Sequence, residues 1–213
     1  MCSGRVDLGF ILRAFENGQD GVFVGGCRLD ECNYVTHGNY DALSNVYLFR
    51  KIMKTIGLNP ERLKIEFMSG ADGNLLAEMI DGFTRKVKAL GPLGKGEGVD
   101  AKEVKFKLEA VKKLIPYMKL VEREKLRVPF KSEAAYTSFF ESGELDKLFS
   151  ELFDDKLAVS QIMLLLGEKP LSTRDIAEKL NLDPSDVSRH MGRSSQHGLV
   201  RYDEAQKCYA LAS

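Results

Sequence analysis

The first part of the chain alternates between helix-like and strand-like patterns of hydrophobic positions. Apolar residues spaced three and four apart predict helices over residues 7–16, 38–56 and 74–90. A short apolar run between glycines predicts a buried strand at 22–24, and alternating apolar and charged residues predict a second strand at 63–68. Helices and strands in this order are typical of an α/β unit with a small parallel sheet.

Helical patterns dominate the middle of the chain. Four glycines and a proline within residues 91–98 predict a linker. A long amphipathic pattern then predicts a helix over 101–125. Three shorter helices are expected after it, at 133–140, 144–153 and 159–166.

The last part of the chain predicts a winged helix-turn-helix. A capped helix over 174–180 is followed by a tight turn at 181–182 and by a second helix from 183 to 197. Two β segments, at 199–202 and 207–211, enclose a polar turn and predict a hairpin. Helix, turn, helix and hairpin in this order are typical of the winged helix-turn-helix motif.

These patterns divide the chain of 213 residues into three parts. We expect an α/β domain at 1–93, a linker and helical segment at 94–155, and a winged helix-turn-helix domain at 156–213. The predicted fold class is therefore an N-terminal α/β domain with a small parallel sheet, a helical middle segment and a C-terminal winged helix-turn-helix. A chain of this length can bury a sizeable core.

The overall charge gives no simple argument for a nucleic acid or an acidic membrane as partner. The 31 basic and 31 acidic residues cancel. No apolar run reaches the roughly 18 residues needed to span a bilayer. The N-terminal residues lack the basic head and apolar stretch of a secretory signal, so we expect a cytoplasmic protein.

Cysteines provide the candidate chemistry. Cys2, Cys27 and Cys32 crowd the start of the chain, and Cys27 follows two glycines at the predicted carboxyl end of the first strand. Ligands gather at such strand ends. Reduced thiolates in a glycine-rich turn suit a soft metal, and their spacing fits zinc as well as an iron–sulfur cluster. In the alternative interpretation, Cys2 and Cys27 are small buried residues of a tight turn and Cys32 has no role.

Several blocks of sequence, taken in order, match a known family. The blocks lie at residues 1–7, 14–22, 26–27, 32–34, 38–40, 57–63 and 88–93. In these blocks the first 93 residues resemble the delta subunit of methyl-viologen-reducing hydrogenase, an electron-transfer protein that docks on heterodisulfide reductase-like complexes.

The resemblance implies an iron–sulfur electron-transfer domain at 1–93 with one [2Fe–2S] cluster. Cys2, Cys27 and Cys32 fall on the family's cysteine positions, so all three are predicted as metal ligands. The implied partners, in anaerobic, cytoplasmic assemblies, are a flavin-containing heterodisulfide reductase A-like subunit together with a hydrogenase or other dehydrogenase subunit. We find no nucleophile–base pair, phosphate loop or flavin site in the sequence, so we expect a subunit that is not a catalyst by itself.

The sequence departs from the family pattern in two ways near the cluster. Family members begin further upstream and carry another pair of cysteines there, so we expect this sequence to be truncated. Alternatively, another chain or His37 supplies the fourth ligand, with Cys208 as a weaker candidate. In addition, residues 28–33 lack the histidines that the family has around its second turn cysteine, and Asp30 and Glu31 are expected to change the charge near the cluster.

The predicted winged helix-turn-helix allows two functions. Arginines and serines of its second helix could reach phosphates and bases of DNA. However, seven basic and seven acidic residues between 157 and 213 balance each other, so non-specific DNA affinity should be modest. The two hypotheses are an electron-transfer subunit whose C-terminal module docks to partners, which we favour, and a redox-responsive winged-helix transcription regulator.

Overall fold

A computed structural model describes residues 2–34 and 38–212 of the chain. It divides into two compact units, Met1–Lys147 and Leu148–Ser213. The finer division at residues 93 and 155 stays a prediction.

The first unit contains most of the helices and one sheet. Its elements are α1 (Leu8–Glu16), β1 (Val22–Gly26), α2 (Asn39–Thr55), β2 (Leu63–Phe67), α3 (Gly73–Leu90), α4 (Ala101–Lys125) and α5 (Glu133–Phe140). The boundary between the units falls within α6 (Gly143–Glu168), and the second unit continues with α7 (Thr173–Leu180), α8 (Pro184–Gln196), β3 (Val200–Asp203) and β4 (Cys208–Leu211).

The sheet of the first unit is parallel, as predicted from the alternation of helices and strands along the chain. Val22 of β1 pairs with Leu63 of β2, and Gly26 pairs with Phe67. The carboxyl ends of both strands therefore meet at one edge of the sheet. This edge carries the cysteine turn after β1 and the turn that leads into α3.

Helix α2 lies at the centre of the core of the first unit. Six of its apolar side chains are at most 2% exposed: Leu43, Val46, Leu48, Phe49, Ile52 and Met53. Phe15 of α1 stacks on Phe49 with ring centroids 6.0 Å apart. Even the polar side chain of Asn39, the first residue of α2, is only 1% exposed. Burial on nearly all sides fixes this helix, and with it the position of its first turn.

The prediction of separate helices at 144–153 and 159–166 is wrong, because α6 runs without a break from Gly143 to Glu168. The intervening residues 154–158 contain two aspartates and a lysine but no glycine or proline. Charged residues are compatible with a helix interior, and only glycine or proline would have been a strong reason to end it there.

The second unit is a winged helix-turn-helix, which confirms the prediction. Ser172 and Asp175 form a capping box at the start of α7, and Asn181 ends this helix in the left-handed conformation with φ of 51°. Strands β3 and β4 form the antiparallel wing, in which Val200 pairs with Leu211. Apolar side chains from α6, the segment before α7, α7, α8 and β3 form one core: Ile162, Leu166, Leu171, Ile176, Val187, Met191 and Val200.

A fully buried arginine ties the glycine-rich segment after α3 to the sheet. Arg62 stands immediately before β2, and its guanidinium donates to Glu97 Oε1 at 2.6 Å and Oε2 at 3.1 Å. It also donates to the carbonyl of Asp20 at 2.9 Å and to that of Gly91 at 2.8 Å. The segment expected to be a linker therefore holds the partner of a buried charge.

Glu97 is held in its ionised form. Burial alone would raise its pKa, but the hydrogen bonds and charge of Arg62, together with backbone N–H donors, lower it below the usual 4.5. The pair therefore stabilises the fold above the pKa of the unfolded state, and this contribution is lost as the pH falls through the lowered pKa.

We expect Glu97→Gln to lower the free energy of unfolding by about 3 kcal/mol at neutral pH, because it leaves the buried Arg62 charge uncompensated. The matched control is Glu61→Gln, which removes an exposed ion pair with Lys86 and should cost less than about 1 kcal/mol. Urea unfolding followed by circular dichroism measures both values. The deficit of Glu97→Gln should shrink as the pH falls below 4.5. Equal losses in both variants, or a deficit independent of pH, would contradict this account of the buried pair.

Candidate metal centre

The structure brings two of the predicted ligands into contact and places the third beside them. Cys2 caps a short turn at Ser3–Arg5, where the N–H of Gly4 donates to its sulfur at 3.4 Å. Cys27 follows β1, and Cys32 follows a second short turn at Leu29–Glu31. The sulfurs of Cys2 and Cys32 are 3.9 Å apart.

This sulfur–sulfur distance fits two thiolates on one metal ion. Two ligands at about 2.3 Å from a tetrahedral metal are about 3.8 Å apart. Cys2 and Cys32 are partly exposed and Cys27 is exposed, so the interpretation of Cys2 and Cys27 as small buried residues is wrong. All four cysteines are free thiols.

The three thiols do not form a finished metal cage. Within residues 2–34 and 38–212, no group of three or more His, Cys, Asp or Glu side chains is arranged to hold a metal ion. Of the candidates for a fourth ligand, His37 lies outside the described residues, and Cys208 is buried on β4 of the second unit. The geometry therefore supplies a pair, Cys2 and Cys32, with Cys27 as their neighbour.

Two of the thiols differ in acidity because of their surroundings. The N–H groups of Tyr34 and Asn39 donate to the Cys32 sulfur and lower its pKa. Asn39 opens the 17-residue helix α2, whose N-terminal dipole also favours a thiolate. Partial desolvation of the Cys27 sulfur raises its pKa, and the neighbouring Cys32 raises it further.

Asn39 fixes the turn that carries Cys27. Its buried amide nitrogen donates to the carbonyl of Cys27 at 2.9 Å and to that of Arg28 at 2.7 Å. The same nitrogen lies 3.7 Å from the Cys27 sulfur. The sequence marks this residue only as the start of a helix, because its partners lie eleven and twelve residues away in the chain.

Gly38 is required by the close approach of Cys32. A Cβ atom at this position would lie 2.5 Å from the Cys32 sulfur and 2.4 Å from the carbonyl oxygen of Tyr34. Any side chain here would displace the sulfur or the backbone. The signal for this role in the sequence is indirect, namely a glycine directly before a helix and six residues after a cysteine.

An ion pair joins the two turns at the carboxyl edge of the sheet. Arg28 donates to Asp72 Oδ2 at 2.8 Å, and the same oxygen accepts the N–H of Ser69 at 2.8 Å. The Arg28 side chain is about half exposed, so this contact contributes little stability by itself. It nevertheless connects the cysteine turn to the turn before α3, as expected from the parallel sheet.

Comparisons with known proteins assign the first part of the chain to one family. Residues 1–91 match the family model described as methyl-viologen-reducing hydrogenase, delta subunit. The iron-sulfur subunit of the F420-non-reducing hydrogenase of Archaeoglobus profundus is 45% identical over 91 residues, which are 43% of this chain and 66% of that relative. The corresponding vhu iron-sulfur subunit of Methanococcus maripaludis is 42% identical over 91 residues, or 67% of that relative. The chain belongs to the methyl-viologen-reducing hydrogenase delta subunit family.

The family domain also matches part of a much larger protein. It is 43% identical over 94 residues to a subunit of the ferredoxin/F(420)H(2)-dependent CoB-CoM heterodisulfide reductase of Methanosarcina acetivorans. The match covers 44% of this chain but only 12% of that relative. The chain thus spans about an eighth of the length of this relative and about two thirds of the hydrogenase subunits.

The second unit has a match of its own. Residues 158–202 match the model for bacterial regulatory proteins of the arsR family, in agreement with the observed winged helix-turn-helix. In the part of the chain that the structure describes, no helix has the length and hydropathy to cross a membrane.

The basic groups of α8 are already paired with carboxylates. Arg189 contacts Asp155 at 3.0 Å and Asp186 at 2.9 Å. Arg193 and His190 each lie 3.7 Å from Asp155. The hydrogen bond from Arg189 holds the pKa of Asp155 below its usual range, so this carboxylate is ionised at neutral pH. These carboxylates neutralise part of the positive charge of the arginines on α8.

In the reduced, metal-free protein, we expect iodoacetamide to alkylate Cys32 faster than Cys27 at neutral pH, because Cys32 has the lowered pKa and Cys27 the raised one. Quantitative peptide mass spectrometry at a series of pH values measures both rates. Gly38→Ala should bring the alkylation rates of Cys32 and Cys27 closer together by displacing the Cys32 sulfur. Gly70→Ala, where a Cβ meets nothing within 4 Å, should leave the ratio of the two rates unchanged. Faster alkylation of Cys27 in the unaltered chain would contradict the assignment.

Proposed function

We propose that the first unit binds a [2Fe–2S] cluster through Cys2, Cys27 and Cys32 and transfers electrons within a hydrogenase–heterodisulfide reductase-like complex. The observation that carries this proposal is the 3.9 Å separation of the Cys2 and Cys32 sulfurs at the carboxyl edge of the sheet. Relatives that share the domain are named iron-sulfur subunits of hydrogenases. This name favours iron and sulfide over zinc at a set of thiols whose chemistry suits both.

The surroundings of the thiols fit an anionic cluster. Cys32 already receives backbone hydrogen bonds that favour its ionised form. The side chain of Asn39 holds the Cys27 turn, and Gly38 leaves room for the Cys32 sulfur. We propose that the remaining ligand comes from outside the described residues, from His37 or from another polypeptide segment.

When bound, the cluster supplies a centre that accepts and releases one electron at a time. The residues of the chain hold it at an accessible position, since Cys27 is exposed and Cys2 and Cys32 are partly exposed. A partner cofactor can therefore approach closely. This arrangement suits an electron relay better than an enzyme that encloses a substrate.

The names of the relatives suggest which kinds of protein are partners of this chain. A copy of the domain forms 12% of a heterodisulfide reductase subunit, so in that protein it shares one polypeptide with the rest of the subunit. Other copies belong to the iron-sulfur subunits of hydrogenases. We propose that this chain relays electrons in the cytoplasm between a hydrogenase or other dehydrogenase and a flavin-containing heterodisulfide reductase A-like subunit.

A redox-responsive transcription regulator is the second candidate, and the match of residues 158–202 to the arsR family supports it. Two observations oppose it. This unit has eight basic and ten acidic residues, and the arginines of α8 are paired with Asp155 and Asp186. Exchange of these pairs for phosphate contacts would gain little free energy from counterion release. We therefore propose that the second unit docks to a protein of the complex.

The cluster is tested by purifying the chain anaerobically and recording ultraviolet–visible and electron paramagnetic resonance spectra. We expect the absorption of an iron–sulfur cluster and, after reduction, the resonance of a [2Fe–2S]⁺ centre. Cys27→Ser and Cys32→Ser should each lose most of the signal, since each removes a ligand. Cys208→Ser is the matched control and should keep it, because this thiol is buried on β4. Bound zinc without an iron–sulfur spectrum would contradict the proposal.

Docking and DNA binding are separated by fluorescence anisotropy with random and genomic duplexes over a range of salt concentrations. We expect weak, non-specific binding by the unaltered chain. Asp155→Asn should strengthen it severalfold and steepen its salt dependence, because it frees Arg193 and leaves Arg189 paired with Asp186 alone. Glu204→Gln, on the exposed turn of the wing, is the control for a loss of negative charge elsewhere. Tight, sequence-specific and salt-sensitive binding by the unaltered chain would establish the regulator instead.

A further inference from the structure

Two buried polar atoms at the cysteine site have no hydrogen-bond partner. Among the residues that the structure describes, they are the hydroxyl oxygen of Ser3 and the carboxamide oxygen of Asn39. A buried polar atom without a partner costs about 1–3 kcal/mol, so each one calls for an explanation. Both belong to residues that adjoin the thiols, since Ser3 follows Cys2 and Asn39 contacts Cys27. A group bound at the thiols would explain an unpartnered atom if that group supplied the missing hydrogen-bond donor or acceptor.

The two atoms differ in what they can contact. The Ser3 hydroxyl carries a hydrogen and can donate it, whereas the carboxamide oxygen of Asn39 can only accept. The sulfurs of an iron–sulfur cluster are negatively polarised and accept hydrogen bonds. The Ser3 hydroxyl therefore has the chemistry to meet such a cluster, and the Asn39 oxygen does not.

The Ser3 hydroxyl lies close to the backbone of Gly26, the residue before Cys27. A Cβ atom on Gly26, the residue before Cys27, would lie 2.9 Å from the Ser3 oxygen and 3.0 Å from the ring of Phe67. Gly26 thus leaves the space that the hydroxyl occupies. The oxygen lies beside the backbone that leads into Cys27, while its own residue directly follows Cys2.

We propose that Ser3 donates a hydrogen bond from its hydroxyl to a sulfur of the [2Fe–2S] cluster and thereby raises the reduction potential of the cluster. The inference rests on the proposed function, because it requires a cluster at Cys2, Cys27 and Cys32. A hydrogen bond to a cluster sulfur stabilises the more negative, reduced form more than the oxidised form. The amide nitrogen of Asn39, 3.7 Å from the Cys27 sulfur, acts in the same direction on that ligand.

The test compares reduction potentials of anaerobically purified full-length proteins by spectroelectrochemical titration. Ser3→Ala removes the donor and should make the reduction potential more negative by about 59 mV. For a one-electron couple this is about a tenfold increase in the ratio of oxidised to reduced cluster at a fixed potential. Ser3→Thr retains a hydroxyl and should keep the reduction potential close to that of the unaltered chain. Ser69→Ala is the matched control, since its hydroxyl lies in the turn after β2 and accepts a hydrogen bond from the backbone N–H of Ala71 in that turn.

Iron and acid-labile sulfide are measured for every variant, so that occupancy and potential are separated. A fully loaded Ser3→Ala protein with the potential of the unaltered chain would overturn the inference and leave the proposed function intact. Loss of the cluster from Ser3→Ala with retention in Ser3→Thr would assign the hydroxyl to holding the ligands, which also overturns a role in the potential. Absence of any cluster from the unaltered chain would instead overturn the proposed function.

Discussion

The candidate site depends on the contact between the first turn of α2 and the two cysteine turns. Asn39 contributes its side chain to the Cys27 turn and its backbone N–H to the Cys32 sulfur. These contacts hold the two cysteine turns in place because α2 is buried on nearly all sides and cannot shift as a whole. A well-packed helix thereby fixes two thiols that lie in short turns.

A second constraint supports the same sheet from its other end. Arg62 is fully buried before β2 and collects the carboxylate of Glu97 and the carbonyls of Asp20 and Gly91. The segments before β1, before β2 and after α3 are therefore joined through one guanidinium, whose planar group of donors suits several acceptors at once. A two-stranded sheet has little stability of its own, so such contacts help to keep its two carboxyl ends side by side.

Much of the fold could be predicted from the sequence because its elements follow clear periodic patterns. The helix over 101–125 and the wing strands carry local signals, and so do the caps at Ser172 and Asp183. The break expected in α6 is wrong, because residues 154–158 contain no glycine or proline that would oppose a helix. Cys2, Cys27 and Cys32 could be singled out because thiols are rare and chemically distinctive.

The supporting residues could not be predicted, since their roles arise from contacts between distant parts of the chain. Gly38 has its significance only because the Cys32 sulfur lies where a side chain would stand, and Asn39 resembles an ordinary helix start. Arg62 belongs to a short polar turn in the sequence, but its partner Glu97 is 35 residues away. Local patterns of hydrophobicity carry no information about such pairs.

Iron K-edge X-ray absorption of the anaerobically isolated protein tests the central claim most directly, because it reports the identity and distance of the atoms around the metal. The account predicts iron with a first shell dominated by sulfur and a second iron atom at short distance, as in a [2Fe–2S] cluster. A protein that contains zinc but no iron, or iron surrounded only by oxygen and nitrogen, would contradict it.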